Sequence, residues 1–216
     1  WPVIYGSSRV ITAPVNLSGI NEVVVSFSHY LDNQINEYTL SIATSTDGND
    51  WNTAWSQTYG ETGLYEVEQL ISTPDMGNEN VYFSIFYEGS SFTMNGWYFD
   101  NFQISTQDNL DIELLSVDMT EMLNYGFHDV RFTVQNTGST TIESVEATFK
   151  DFFNNGNIVT ETFEVNIESL EKQELTFTEK AYLAPGTYVM PIEIVSVNGT
   201  DDSNDGNNFI EKEINV

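Results

Sequence analysis

Ile142-Glu-Ser-Val-Glu-Ala-Thr-Phe-Lys-Asp-Phe-Phe153 is followed by Asn154-Asn-Gly156 and then by Ile158-Val-Thr-Glu-Thr-Phe-Glu-Val-Asn-Ile167. In the first run Val145, Ala147 and Phe149 alternate with Glu146, Thr148 and Lys150; in the second, Phe163, Val165 and Ile167 alternate with Glu164 and Asn166. A period of two sends successive side chains to opposite faces of an extended chain, so each run reads as a strand with one apolar and one polar face. The Asn-Asn-Gly between them tolerates turn geometry. Helical spacing, with apolar residues three and four apart, is scarce along the whole chain.

Outward from this pair the same rhythm continues. Downstream lie Gln173–Thr178, Thr187–Val197 and Phe209–Val216; upstream lie Leu110–Val117 and Val130–Gln135, where Val130, Phe132 and Val134 share a face. Asn136-Thr-Gly138 and Pro185-Gly186 supply turn residues between them. Seven strands at this spacing fit an immunoglobulin-like β-sandwich. Further strands are expected at Arg9–Val15, Val23–Leu31, Tyr38–Ser45, Trp51–Thr58, Leu64–Ile71, Val81–Tyr87 and Trp97–Ile104. The polar stretch Ser105–Asn109 has little to bury and divides the chain at about residue 107, giving domains 1–107 and 108–216. All four Trp and a single basic residue, Arg9, precede the break, and every Lys follows it, as expected of two separate modules.

Composition narrows the functions. At 216 residues, 40% hydrophobic and 13% aromatic, the chain has the material for real cores. Its net charge of −27 repels phosphate backbones and anionic headgroups, which sets it against nucleic acid and membrane surfaces as partners. Without cysteine there is neither a disulfide framework nor a thiolate zinc site. No stretch reaches the roughly 20 apolar residues of a spanning helix. An opening Trp in place of Met leads us to expect a piece processed or cut from a longer chain.

Four segments of the first half, Arg9-Val-Ile-Thr-Ala-Pro14-Val-Asn-Leu17, Val23-Val-Val-Ser-Phe27-Ser-His-Tyr30, Ser45-Thr-Asp47-Gly-Asn-Asp-Trp51 and Gly96-Trp-Tyr-Phe-Asp100-Asn-Phe-Gln-Ile104, occur in order over nearly all of residues 9–104. As a set they resemble the jelly-roll modules of secreted Bacteroidetes-type proteins, in the group of MAM-like and cleaved-adhesin domains. Such domains usually have an additional opening strand and loop before a residue like Trp1, so part of this one is expected to be absent. In the second half Asp111-Ile-Glu-Leu-Leu115, Arg131-Phe-Thr-Val-Gln-Asn136-Thr-Gly138, Leu183-Ala-Pro-Gly-Thr-Tyr188 and the acidic hairpin Asp201–Asn208 resemble the adhesion-related immunoglobulin-like repeats of bacterial surface proteins. The two resemblances imply an all-β chain, a jelly-roll β-sandwich followed by an immunoglobulin-like β-sandwich, secreted or held at a bacterial cell surface.

Candidate chemistry is sparse. The two histidines, His29 and His128, fall in different halves, and no thiol is present for nucleophilic catalysis. His29 shares the face of Val23, Val25 and Phe27 and reads as a packed side chain with a satisfied ring; His128 reads as the start of a strand. Carboxylates fall mostly in turns or on solvent faces, which disfavours a glycosidase pair. In Trp97–Ile104, alternation puts Tyr98, Asp100, Phe102 and Ile104 on one side, expected to face the core, where a carboxylate must be paired or metal-bound. The jelly-roll resemblance implies a structural calcium ligand at Asp100, with Asp32 as a possible partner; hydrogen bonding of Asp100 within the fold is the open alternative. Asp201-Asp-Ser-Asn-Asp205-Gly206 partly matches a calcium loop, but its twelfth position is Lys212 in place of Glu, so it reads as an Asx-rich hairpin. Trp51 and Trp55 share a face, expected to be core. If Tyr82 and Phe86 face out, opposite the inward Val81, Phe83, Ile85 and Tyr87, they form a stacking platform for sugars; cover by a second sheet or by the missing opening strand is the open alternative.

The expected function is therefore a non-catalytic adhesion or accessory and spacer module of a larger secreted bacterial protein, with calcium in a structural role. Its expected partners are a cell-surface protein or glycan and other domains of the parent chain. The alternative is a carbohydrate-binding module attached to a secreted peptidase or glycosidase. Exposed aromatics that retain glycans would separate the second from the first.

Overall fold

A computed structural model describes residues 5–34, 37–90, 94–153 and 156–216. Trp1 and the Asn154-Asn155 turn lie outside the described residues. The chain is all-β and divides into two units, one ending at Thr106 and the other beginning at Gln107.

The first unit contains β1 (Tyr5–Ile11), β2 (Val23–Asn33), β3 (Tyr38–Ser45), β4 (Asn52–Tyr59), β5 (Gly63–Ile71), β6 (Tyr82–Ser90) and β7 (Met94–Ser105). They form a four-stranded sheet in the order β1-β6-β3-β4 and a three-stranded sheet in the order β5-β2-β7, with antiparallel pairing throughout. The inward rows of both sheets meet in one core: Val25, Phe27, Leu31 and Val67 from one, Leu40, Ile42, Phe83 and Ile85 from the other. This is a jelly-roll arrangement, in which the chain passes back and forth between two packed antiparallel sheets.

Among the described residues closure is incomplete at one side. Val10 of β1 lies opposite core residue Ile85, and Phe99 of β7 lies opposite buried His29, so both face inward. Yet Val10 is 47% and Phe99 40% exposed. Each belongs to an edge strand, and among the described residues β7 pairs with β2 alone.

The second unit contains β8 (Ile112–Val117), β9 (Gly126–His128), β10 (Arg131–Asn136), β11 (Ile142–Asp151), β12 (Asn157–Ile167), β13 (Lys172–Thr176), β14 (Ala181–Leu183), β15 (Thr187–Val197) and β16 (Phe209–Asn215). Sheets β13-β10-β8 and β12-β11-β15-β16 face each other, and β9 and β14 form a short pair. In immunoglobulin lettering these are E-B-A and C′-C-F-G. Val130, Phe132, Val134, Val145, Ala147, Phe149 and Ile167 are all buried, so the alternation of the opening stretch translates directly into the core. Phe177 sits amid Phe132, Phe149 and Phe163 at ring-centroid distances of 5.3, 4.7 and 5.2 Å. Such offset and edge-on contacts suit aromatic quadrupoles.

Candidate ligand-binding surfaces

The last strand of the jelly roll departs from simple alternation. Ser26 lies opposite Gln103 but Ser28 opposite Asp100, so β7 carries one residue more than β2 across this interval. Asn101 takes up the excess in the left-handed region at φ 57°, a conformation that Asn tolerates better than most residues. This β-bulge exchanges the faces of the strand. After it, Phe102 and Ile104 pack on the core; before it, Trp97 does, and Tyr98 and Asp100 point outward. The expected inward placement of Asp100 is thereby corrected. Its carboxylate is exposed and Oδ1 accepts the Asn101 N–H at 2.8 Å.

Asp32 is half-buried near the end of β2, and its Oδ1 accepts from Asn95 Nδ2 at 3.1 Å. It pairs with Gly96, whereas Asp100 pairs with Ser28. Four residues of strand put the two backbones about 13 Å apart, too far for one calcium ion with ligands at about 2.3–2.6 Å. Among the described residues no group of three or more acidic or histidine side chains is disposed to hold a metal.

The reversal creates a different surface. Tyr30 pairs with Leu64 on one side and Tyr98 on the other, and all three lie on the outer face of β5-β2-β7. They form an apolar row across the sheet, with Leu64 68% and Tyr98 62% exposed. The Tyr30 and Tyr98 rings lie 6.4 Å apart at 38°. Tyr98 lies down over Gly96: a Cβ there would come within 2.7 Å of the ring. Polar groups border the row. Glu66, which accepts from Ser28 Oγ at 2.8 Å, and Asp100 lie on one side, with Asp32 and Asn95 on the other.

On the opposite sheet Tyr82 and Phe86 do face outward, as the buried Val81, Phe83 and Ile85 require. Phe86 is not an open platform. The Arg9 guanidinium is sandwiched between Phe86, 4.4 Å from its ring centroid, and Trp51, 4.3 Å from its centroid, and donates to Ser84 Oγ at 2.9 Å. Burial lowers the Arg9 pKa, but a guanidinium remains charged and the contacts are cation–π. Trp51 reaches this outer stack because Ala54 is an extra residue opposite Ile42-Ala43, which puts Trp51 and Trp55 on opposite faces. Trp55 alone of the two packs on the core, contrary to the shared face expected from spacing.

His29 is buried as its neighbours imply, but neither ring nitrogen has a hydrogen-bond partner among the described residues. Its ring stacks on Tyr65 at 5.2 Å and meets Tyr59 edge-on at 4.7 Å, beside a cavity of about 20 Å³ that Leu31, Leu40 and Trp97 help to line. Desolvation lowers its pKa, opposed in part by the charge of Glu66. His128 lies in β9, with Nε2 2.6 Å from the Asn124 carbonyl. In the acidic hairpin, Asp205–Asn207 forms a short 3₁₀ turn, and Lys212 is drawn away to donate to the Val117 carbonyl at 3.2 Å.

No family model matches the sequence, and no curated protein matches it. Among solved structures, a glycoside hydrolase family 2 β-galacturonidase from Eisenbergiella tayi aligns with 97% of this chain at 10% identity and a TM-score of 0.38. A family 2 member from Bacteroides cellulosilyticus aligns with 98% at 13% identity and 0.39, and the β-glucuronidase of Parabacteroides merdae with 98% at 14% and 0.35. The chain spans 34%, 28% and 28% of those three chains, respectively.

Proposed function

We propose that this chain is a non-catalytic accessory segment of a longer exported bacterial protein, and that its jelly roll holds neutral glycan chains on the outer face of β5-β2-β7. The observation that carries the proposal is the exposed row Leu64–Tyr30–Tyr98. Three adjacent strands give it a span of about 10 Å. The C–H faces of sugar rings stack on such a surface, while their hydroxyls hydrogen-bond to bordering groups of the kind offered by Glu66, Asp100, Asp32 and Asn95. The carboxylates on both sides repel uronate or sulfate, which restricts the ligand to uncharged sugars.

A non-catalytic role is supported by the setting of these carboxylates. A glycosidase acid is kept protonated at neutral pH by a desolvating pocket, whereas Glu66 and Asp100 are exposed on an open sheet face. Export is supported by the resemblance of the segments at residues 9–104 and 111–208 to secreted surface modules.

The test is affinity electrophoresis and calorimetric titration of the whole chain on neutral polysaccharides, alongside Tyr30→Ala and Tyr98→Ala. Retention that falls at least tenfold in each variant, with unchanged circular dichroism, is expected. Retention that survives both substitutions removes the row as the site, and sugar release by the purified chain removes the non-catalytic reading.

A further inference from the structure

The second domain contains buried oxygen atoms with too few donors. Asp111, just before β8, is 8% exposed. Its backbone carbonyl accepts from Thr137 and Gly138, at 3.1 and 3.0 Å, and a Cβ at Gly138 would approach Asp111 N to 2.6 Å, so the backbone of Asp111 is closely held. Asn207 Nδ2 lies 3.3 Å from Asp111 Oδ1. The Asp202 carboxylate is held alongside: its Oδ2 accepts the Ile112 N–H at 3.1 Å and Asn208 Nδ2 at 3.0 Å, and its Oδ1 accepts the Asn204 N–H at 2.9 Å. Asn208 is 5% exposed, and the amide oxygens of both Asn207 and Asn208 are buried without a hydrogen-bond partner among the described residues.

Two carboxylates and two amides thus converge on one seam, where the first strand of the domain meets its last hairpin. A half-turn of each amide exchanges Nδ2 for Oδ1 and directs the carbonyl oxygen at the neighbouring carboxylate. That arrangement is repulsive between bare acceptors and favourable around a cation. We propose that Asp111, Asp202, Asn207 and Asn208 form a calcium site that ties the hairpin at residues 201–208 to the start of β8. Two carboxylates balance the charge of the ion, and together with two amide oxygens they supply the irregular, all-oxygen set that calcium accepts and magnesium does not favour. The ligands come from positions about 90 residues apart, so the site does not follow the linear spacing of a calcium loop.

The test is calorimetric titration and thermal unfolding of the chelator-treated whole chain with calcium and with magnesium. Calcium is expected to raise the transition of the second domain by about 5 °C at tenfold excess over Kd, because it binds the folded state alone. Asp111→Asn and Asp202→Asn are expected to abolish both the heat and the shift, whereas Asp32→Ala and Asp100→Ala leave them intact. Asp111→Asn relieves the repulsion and remains folded in chelator, so its loss of response is a loss of binding. A chain whose heat and thermal transition both ignore calcium refutes the site. A response that persists in Asp111→Asn also refutes it.

Discussion

The two sandwiches are assembled from the same alternation of apolar and polar residues, yet they close differently. In the immunoglobulin-like domain the inward rows of β8, β10, β11 and β15 meet partners along their length, and Phe177 fills the centre of a cluster of phenylalanine rings. In the jelly roll, inward-facing Val10 and Phe99 remain substantially exposed on edge strands, and an imidazole with no hydrogen bond among the described residues sits in the core. An alternating pattern makes a strand amphipathic, but a core is completed only where the facing sheet supplies a neighbour.

The largest effect expected from this contrast lies in the closed core. Phe177→Ala removes a buried ring and is expected to destabilise the second domain by about 3–5 kcal/mol, while Phe99→Ala, half exposed already, shifts the first domain by far less. Differential scanning calorimetry reads both. A single transition moved equally by either variant would mean that the two units do not unfold independently.

Next in size is the response to pH. The folded pKa of His29 is depressed below its unfolded value of about 6.5, so the unfolded chain binds more protons as pH falls below that point, and the stability of the first domain declines until the folded ring also titrates. His29→Phe is expected to stabilise the first domain by about 1–3 kcal/mol by removing unpaired buried groups. It should also flatten the dependence of the first transition on pH below about 6.5. An unchanged slope in His29→Phe would assign the dependence to other groups.

A smaller effect is expected at the Trp51–Arg9–Phe86 stack. Arg9→Ala removes two cation–π contacts and should lower the urea midpoint of the first domain by the equivalent of about 1–2 kcal/mol. Arg9→Lys recovers only part of this, since an ammonium lacks the planar face that stacks between two rings. The smallest effect belongs to Lys180 and Asp129, whose 2.7 Å ion pair is about half exposed on both sides. Lys180→Met is expected to leave the second transition where it was, because an exposed pair gains little over its hydrated ions.

Strands long enough to show alternation were legible from the residues, whereas the outward placement of Tyr82 and Phe86 depends on what covers that face, which the residues alone do not show. The three-residue strands β9 and β14 were not legible, since so few residues carry no period. Asp100 and Trp51 were misplaced for one reason: a bulge inserts a residue and exchanges the faces beyond it. The Asp100-Asn101 pair, with an Asn suited to the left-handed region, was the available signal. The row Leu64–Tyr30–Tyr98 was hidden by the same bulge, because counting through it turned Tyr98 inward.

The sequence by itself determined that this protein is all-β, where its polar joint falls and which face of each regular strand is apolar, because these depend on a period of two and on turn residues read within a few positions. Only the tertiary structure decided what those faces meet. Bulges arise from the register between two strands, and the meeting of Asp111 with Asp202, Asn207 and Asn208 joins residues some 90 positions apart. Neither leaves a local trace, because each is fixed by the partner across the sheet or seam and not by the neighbours along the chain.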